Sequence, residues 1–348
     1  MILKHTVLYI LLILSLNLYA QIGGNSTYEF LNLPNSARIA SLSGSIIAIK
    51  DNDLSNSFIN PSLLNDSMAN SIAVNYVNYY ADVKMGYVSY ARKYKENSNI
   101  AVGIHYINYG DFTEADETGK VTGSFKAAEY ALNVMWSKPI DSMFTIGINV
   151  KPILSNLEKY TSVGIVADAG ITYNNPKKLL SAAFVIKNMG TQLKPYYKGC
   201  YEPVPFEIQL GVSKKLAHAP FRFSILAHHL ETPDLTYNNP NDVNNQTDPL
   251  TGETQPKEYN LGEKIMRHIV IGTEILLTKN LYFNLGYNYQ RRQEMKVEAK
   301  TGWTGLSWGL GMKISKFRFS YGRATYHIAG PSNYFSISTN ISDFRKVQ

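Results

Sequence analysis

From residue 71 onward the chain alternates large apolar residues with polar residues or glycine, in segments of about ten residues. Beyond the first twenty residues, no stretch is apolar for the roughly 20 residues a spanning helix needs. These two facts leave one architecture for a membrane-resident chain, a closed β-barrel, and one for a soluble chain, a β-sandwich or propeller. The clearest segment is 281 to 291, where Phe283, Leu285, Tyr287 and Tyr289 share one face and Tyr282, Asn284, Gly286, Asn288 and Gln290 the other. The same split places Phe144, Ile146, Ile148 and Val150 opposite Thr145, Gly147, Asn149 and Lys151, and Phe206, Ile208, Leu210 and Val212 opposite Glu207, Gln209, Gly211 and Ser213. It returns with Leu306, Trp308, Leu310 and Met312, and again with Phe335, Ile337 and Ile341. Glycine recurs on the polar face, where a missing side chain relieves crowding or admits a close-packed plug. The polar face is therefore read as lumenal.

The pattern predicts fourteen strands, at about 71–79, 82–94, 98–109, 128–138, 144–155, 160–174, 179–188, 205–217, 221–231, 266–277, 281–291, 305–314, 317–326 and 333–342. Connections after even strands are short, whereas the segments 110–127, 189–204, 232–265 and 292–304 carry the Asn, Pro, Asp and Gly of exposed loops. Short turns alternating with long loops belong to a barrel with both termini on the periplasmic side. A sandwich has no reason to sort its loops by parity. The fold class expected is all-β, a 14-stranded transmembrane antiparallel barrel. With 25 Tyr, 14 Phe and only 18% charged residues, the composition leans the same way.

Residues 1–20 read as a signal peptide: Lys4 supplies the positive start, Val7 to Leu16 is almost wholly apolar, and Leu18-Tyr19-Ala20 ends in the small residue that precedes a cleavage before Gln21. A lipoprotein would place a cysteine just after the cut, where Gln21 stands instead. Of 34 basic and 27 acidic residues, removing this segment takes only Lys4, which leaves 33 against 27 and a net charge of +6. That mild, scattered excess does not mark a nucleic-acid binder. Cys200 is the sole cysteine, which excludes an internal disulfide framework and multi-cysteine metal sites, and the sequence assigns it no role.

Residues 21–70 lack clean alternation and contain the breakers Pro34, Gly44 and Pro61, so they are expected to form a hatch or plug, with barrel wall from 71 to 348. Ser36-Ala37-Arg38, the small residues Ala40, Ser43, Gly44 and Ser45, the acids Asp51 and Asp53, and Asn60-Pro61-Ser62 resemble the N-terminal hatch of FadL-type long-chain fatty-acid transporters. The run Gly23 to Arg38 is similar to the mature N-terminus of the PorQ family, the FadL-like barrels of the type IX secretion system. That resemblance implies a non-enzymatic outer-membrane subunit of an attachment complex, acting with PorU, PorV and a surface-displayed PorZ-like protein to release cargo and join it to lipopolysaccharide. The FadL resemblance implies an alternative, transport of long-chain fatty acids or other hydrophobic solutes.

No catalytic, cofactor or metal constellation is expected. His228 and His229 are adjacent, and in a strand they point to opposite faces. His105, His268 and His327 show no ligand spacing, Gly23-Gly24 lacks the rest of a phosphate loop, and 234–256 lacks the spacing of a calcium loop. Asp168 and Glu274 fall on inner faces and need lumenal partners. Hatch residues of interest are Ser36, Ala37, Arg38, Asp53, Asn60 and Pro61. Candidate partner contacts in or beside outer loops are Phe112, Tyr196, Tyr197, Tyr201 and Tyr237, weighed against their place in an aromatic girdle. The inner faces, dominated by Gly, Ser, Asn, Thr and scattered charges, suggest a plugged, inert lumen.

Overall fold

A computed structural model describes residues 26–95, 97–236, 246–247, 254–255, 259–295, 302–327 and 330–344. The proposed signal peptide lies outside them. The described strands are β1 (Ser71–Asn78), β2 (Lys84–Tyr94), β3 (Ser98–Ala115), β4 (Val121–Pro139), β5 (Phe144–Leu157), β6 (Tyr160–Asn175), β7 (Leu180–Lys194), β8 (Glu207–Lys215), β9 (Phe221–Ala227), β10 (Gln246–Thr247), β11 (Thr254–Gln255), β12 (Ile269–Ile275), β13 (Leu281–Asn288), β14 (Leu306–Ile314), β15 (Phe317–His327) and β16 (Gly330–Asn340). All but β10 and β11, which pair with each other, form one closed antiparallel barrel of fourteen strands. Each strand pairs with its predecessor in the wall, and β1 closes on β16 from Ser71↔Asn340 to Asn78↔Asn333. Closure gives the wall's backbone groups partners without an edge, the condition for standing in hydrocarbon.

The alternation sorts as the sequence predicts. Val88, Ile104, Ile148, Leu210, Ile225, Leu285 and Ile337 are exposed on the outer surface, while Asn149, Asp168, Ser213, Glu274 and Asn284 are buried inside. The short turns, the start of β1 and the end of β16 lie at one end, where Ile341 N donates to Asn70 O at 2.9 Å. The described residues of the long connections lie at the other end, which the expected topology makes the outer one.

Several boundaries differ from the pattern, each for a local reason. Segment 110–127 is mostly a projecting hairpin rather than a loop: β3 and β4 continue past a bulge at Gly110, with Phe112 stacked on Phe125 at 5.1 Å and Asp111 3.6 Å from Lys126. Beyond the bilayer nothing forces apolar residues outward, so the alternation fades while the ladder continues. β7 reaches Lys194 rather than 188 because Asn188, at φ 55°, bulges and resets the alternation; Asp168 Oδ1 accepts from its N–H at 2.8 Å. β9 stops at Ala227 instead of 231, and β13 at Asn288 instead of 291. The Asn288 side chain accepts from Arg291 N at 2.8 Å and begins a helix, Tyr289–Met295. Asn260 caps a second helix, Leu261–Arg267, which delays β12 to Ile269.

Residues 26–70 lie within the barrel as short helical turns. Four of the five begin on a residue whose side chain accepts a backbone N–H: Ser36 from Ile39, Asp53 from Ser55, Asn60 from Ser62 and Asn65 from Ser67; the first, Glu29–Asn32, follows Tyr28 without such a cap. Their apolar residues, among them Phe30, Ile39, Leu42, Ile47, Leu54 and Phe58, are fully buried against the wall. At about 1.5–3 kcal/mol for each large side chain taken from water, this burial is the main force seating the plug.

Candidate functional site

The plug meets the wall through backbone as well as side chains. A Cβ on Gly147 would stand 2.3 Å from the Pro61 carbonyl carbon, and one on Gly286 would stand 2.5 Å from that of Leu42. At these two glycines and at Gly322, which faces the Ala37 backbone, the plug's main chain rests on the barrel. Asn60 binds at the same contact, its Nδ2 donating to Ile47 O at 2.7 Å and Thr172 Oγ1 at 3.0 Å, with Ser62 Oγ 2.6 Å from that hydroxyl.

Arg38 fastens the opposite side. Its Nε donates to Glu274 Oε1 at 2.9 Å, Nη2 to Asp51 Oδ2 at 2.6 Å and Nη1 to Asp53 Oδ2 at 3.3 Å. Arg222, paired with Glu274 in the β9–β12 register, donates to Glu274 Oε2 at 2.8 Å. Two cations thus face three carboxylates at the plug–wall boundary, where Glu274 is wholly buried. Burial opposes the Arg38 charge, but Asp51 and Glu274 outweigh it and hold the guanidinium cationic. Burial likewise raises the Asp51 carboxyl, and the Arg38 charge and hydrogen bond bring it below its ordinary value. Asp168 finds its partner in Lys151 of the next strand at 2.7 Å.

Of the named hatch residues, Ser36, Asp53 and Asn60 are caps, Ala37 and Pro61 are buried contacts, and Arg38 is the hub of the ion cluster. The named aromatic residues do not gather into one patch. Phe112 stands on the β3–β4 hairpin, whereas Tyr197 and Tyr201 are exposed on the β7–β8 connection with Cys200. Tyr196 turns inward with its hydroxyl 2.5 Å from Ser155 Oγ, and Tyr237 lies outside the described residues.

The lumen is less polar than the alternation predicts. Met85, Tyr87, Ile107, Val185 and Val270 point inward and pack against plug residues, and His105 sits among Phe30, Phe58 and Tyr87 at ring separations of 5.1–6.2 Å. At the outer end lies a cavity of about 920 Å³. Its floor is the plug's Ile39, Ile47, Phe58 and Ile59, and its wall includes Leu226 and Val270, with Lys187, Glu207, His229 and Arg291 among its charged and polar lining. A second cavity, of about 600 Å³ at the turn end, is lined mainly by polar plug and turn residues such as Lys50, Asp51, Asn65 and Asn97. No residue lines both, and the plug stands between them.

His228 and His229 do not point to opposite faces. They follow the end of β9, and His229 takes the left-handed conformation at φ 52°, which swings both rings to one side with centroids 4.9 Å apart. Both face Glu207 Oε1, His228 Nδ1 at 3.9 Å and His229 Nε2 at 4.0 Å. Alternation did mark Glu207 as inward, on the face opposite Phe206. No sequence signal announced the left-handed turn.

No known sequence family and no curated protein matches the chain. Among solved structures, the toluene transporter TodX of P. putida is similar over 89% of this chain and 99% of its own, at 12% identity and a TM-score of 0.52. A FadL homologue of Pseudomonas aeruginosa is similar over 91% of this chain and 100% of its own, at 10% identity and a TM-score of 0.50. These likenesses are of fold: the chain has the barrel architecture of the FadL-like outer-membrane proteins.

Proposed function

We propose that the protein resides in the outer membrane, reached through the signal peptide of residues 1–20, and that it admits a small hydrophobic solute. The solute enters the outer cavity and passes to the turn end when the plug shifts. The observation that carries this reading is the outer cavity itself. Its volume suits a small organic molecule, its floor and wall are apolar, and its charged and polar lining can hold a polar end. An inert plug has no need of a cavity floored with Ile39, Ile47, Phe58 and Ile59. The fold shared with a toluene transporter and a FadL homologue supports the same reading. The test is titration of the detergent-purified protein with a fluorescent alkyl carboxylate and with toluene as competitor. Saturable binding that is lost in Leu226→Arg, with the barrel still heat-modifiable, supports uptake; equal binding by that variant refutes the assigned pocket.

A second reading, from the PorQ resemblance, is a scaffold for PorU, PorV and a PorZ-like surface protein, with contact to lipopolysaccharide. Tyr197, Tyr201 and Trp303, exposed at 57%, 63% and 77% on outer connections, favour it, since exposed aromatics anchor interfaces. Co-purification of a PorZ-like protein that is lost in Tyr197→Ser/Tyr201→Ser would support the scaffold. Retention of that partner by the variant would remove this surface from it.

A further inference from the structure

We propose that Glu207, His228 and His229 form a binding site for a divalent transition-metal ion of the zinc class. Each offers one ligand atom, and the three atoms lie within 4.8 Å of one another. Ligands at 2.0–2.1 Å around a tetrahedral zinc stand about 3.3 Å apart, so rotation of three side chains by a fraction of their length closes the set.

The geometry of the hydrogen bonds argues for a cation at this point. His229 Nδ1 lies 3.0 Å from Glu231 Oε1, a carboxylate that can only accept from it. That contact turns Nε2 toward Glu207 Oε1 at 4.0 Å, beyond hydrogen-bond reach. His228 is 6% exposed, its Nδ1 stands 3.9 Å from the same carboxylate oxygen, and its Nε2 has no hydrogen-bond partner. A metal ion held between the two rings and Glu207 would bridge gaps that no hydrogen bond spans.

The surroundings match those of a ligand set. A carboxylate behind a ligating imidazole fixes its tautomer and raises its basicity, and Glu231 stands in that position behind His229. Gln209 Nε2 donates to Glu207 Oε1 at 2.7 Å and Lys187 lies 3.4 Å from Oε2, which together orient the carboxylate. With neutral imidazoles, Glu207, Glu231 and Lys187 sum to one negative charge, which a divalent ion offsets. Two imidazoles and one carboxylate leave coordination positions open toward the outer cavity, which all three residues line. Zinc accepts this donor set, whereas the hard cations prefer oxygen alone.

The experiment is titration of tag-free, chelator-stripped protein with Zn²⁺ by calorimetry, and with Co²⁺ by visible absorption, at pH 8 where protons compete least. One ion per chain is expected, with Co²⁺ bands displaced by Zn²⁺. His228→Ala and His229→Ala should each weaken binding more than tenfold, and Glu231→Gln, which touches no metal, by about 10- to 100-fold. His218→Ala, exposed at the turn end, should change nothing. Heat-modifiability confirms that each variant is folded, and Glu231→Gln keeps the test open if a histidine variant is not. Failure to bind one equivalent, or binding unaffected by these three substitutions, overturns the proposal.

Discussion

Replacing Arg38 with the length-matched, uncharged Met should unseat the plug without opening the barrel. In the wild type, Arg38 and Arg222 face Asp51, Asp53 and Glu274; Arg38→Met leaves one cation against three carboxylates, with the Glu274 side chain wholly buried. Removing one partner of a buried ion pair costs about 3–5 kcal/mol. The lower end applies here, because Asp51 is 22% exposed and Arg222 still serves Glu274. About 3 kcal/mol raises the population of the displaced plug roughly a hundredfold. Ser57, fully buried in the plug, provides the probe: in a Cys200→Ser background, a maleimide reaches the thiol of S57C only when the plug moves. Labelling should run roughly a hundredfold faster in Arg38→Met, while the heat-modifiable gel shift persists because the wall's ladder is untouched. Adding Glu274→Gln restores the original charge difference and should return labelling to within about tenfold of the wild type. Unchanged labelling in Arg38→Met, or no recovery in the double variant, would refute the argument that this cluster holds the plug.

Other outcomes follow from the same contacts. Gly286→Val places a side chain against the Leu42–Ser43 backbone and should speed S57C labelling by severalfold to about a hundredfold, from an overpacking cost of about 1–3 kcal/mol; the lipid-facing Leu285→Val should not. Asp51, held below its ordinary value of 3.8, contributes stability that is complete above that value and is lost as pH falls through its folded value, so S57C labelling, taken relative to a free thiol at each pH because the thiolate is what reacts, should be flat from pH 7 to about 4 and rise below. Exposed Cys200, on the β7–β8 connection, should be labelled by an impermeant maleimide on intact cells; labelling only after permeabilisation would invert the topology.

The wall was legible in the sequence because lipid on one side and a packed plug on the other enforce a period of two, as in Leu281 to Asn288. Where one constraint ends, so does the signal. The β3–β4 hairpin continues past Asn108 on cross-strand pairs such as Phe112 and Phe125, which no outside apolar phase imposes on the pattern. A single bulged residue, Asn188, reset the alternation and hid the last turns of β7. Inward acids were recognisable as groups in need of a partner, but that Glu274 meets Arg38 depends on a fold that joins residues 236 apart. The inward apolar residues were obscured by equally apolar neighbours facing lipid, so the interior read as more polar than it is. The His228–His229 pair was misread because the strand rule holds only while the strand lasts, and His229 leaves it.

The central claim, that solute passes when the plug moves, is tested most directly by locking the plug to the wall. Ser43 Oγ of the plug lies 3.0 Å from Ser307 Oγ of β14, close enough for Ser43→Cys/Ser307→Cys to form a disulfide in the Cys200→Ser background. Uptake of a radiolabelled hydrophobic carboxylate into proteoliposomes is measured before and after reduction. The account predicts that the oxidised protein binds the solute without passing it and that reduction restores uptake. Equal uptake in the locked and released states, or none in either while the solute still binds, would contradict it.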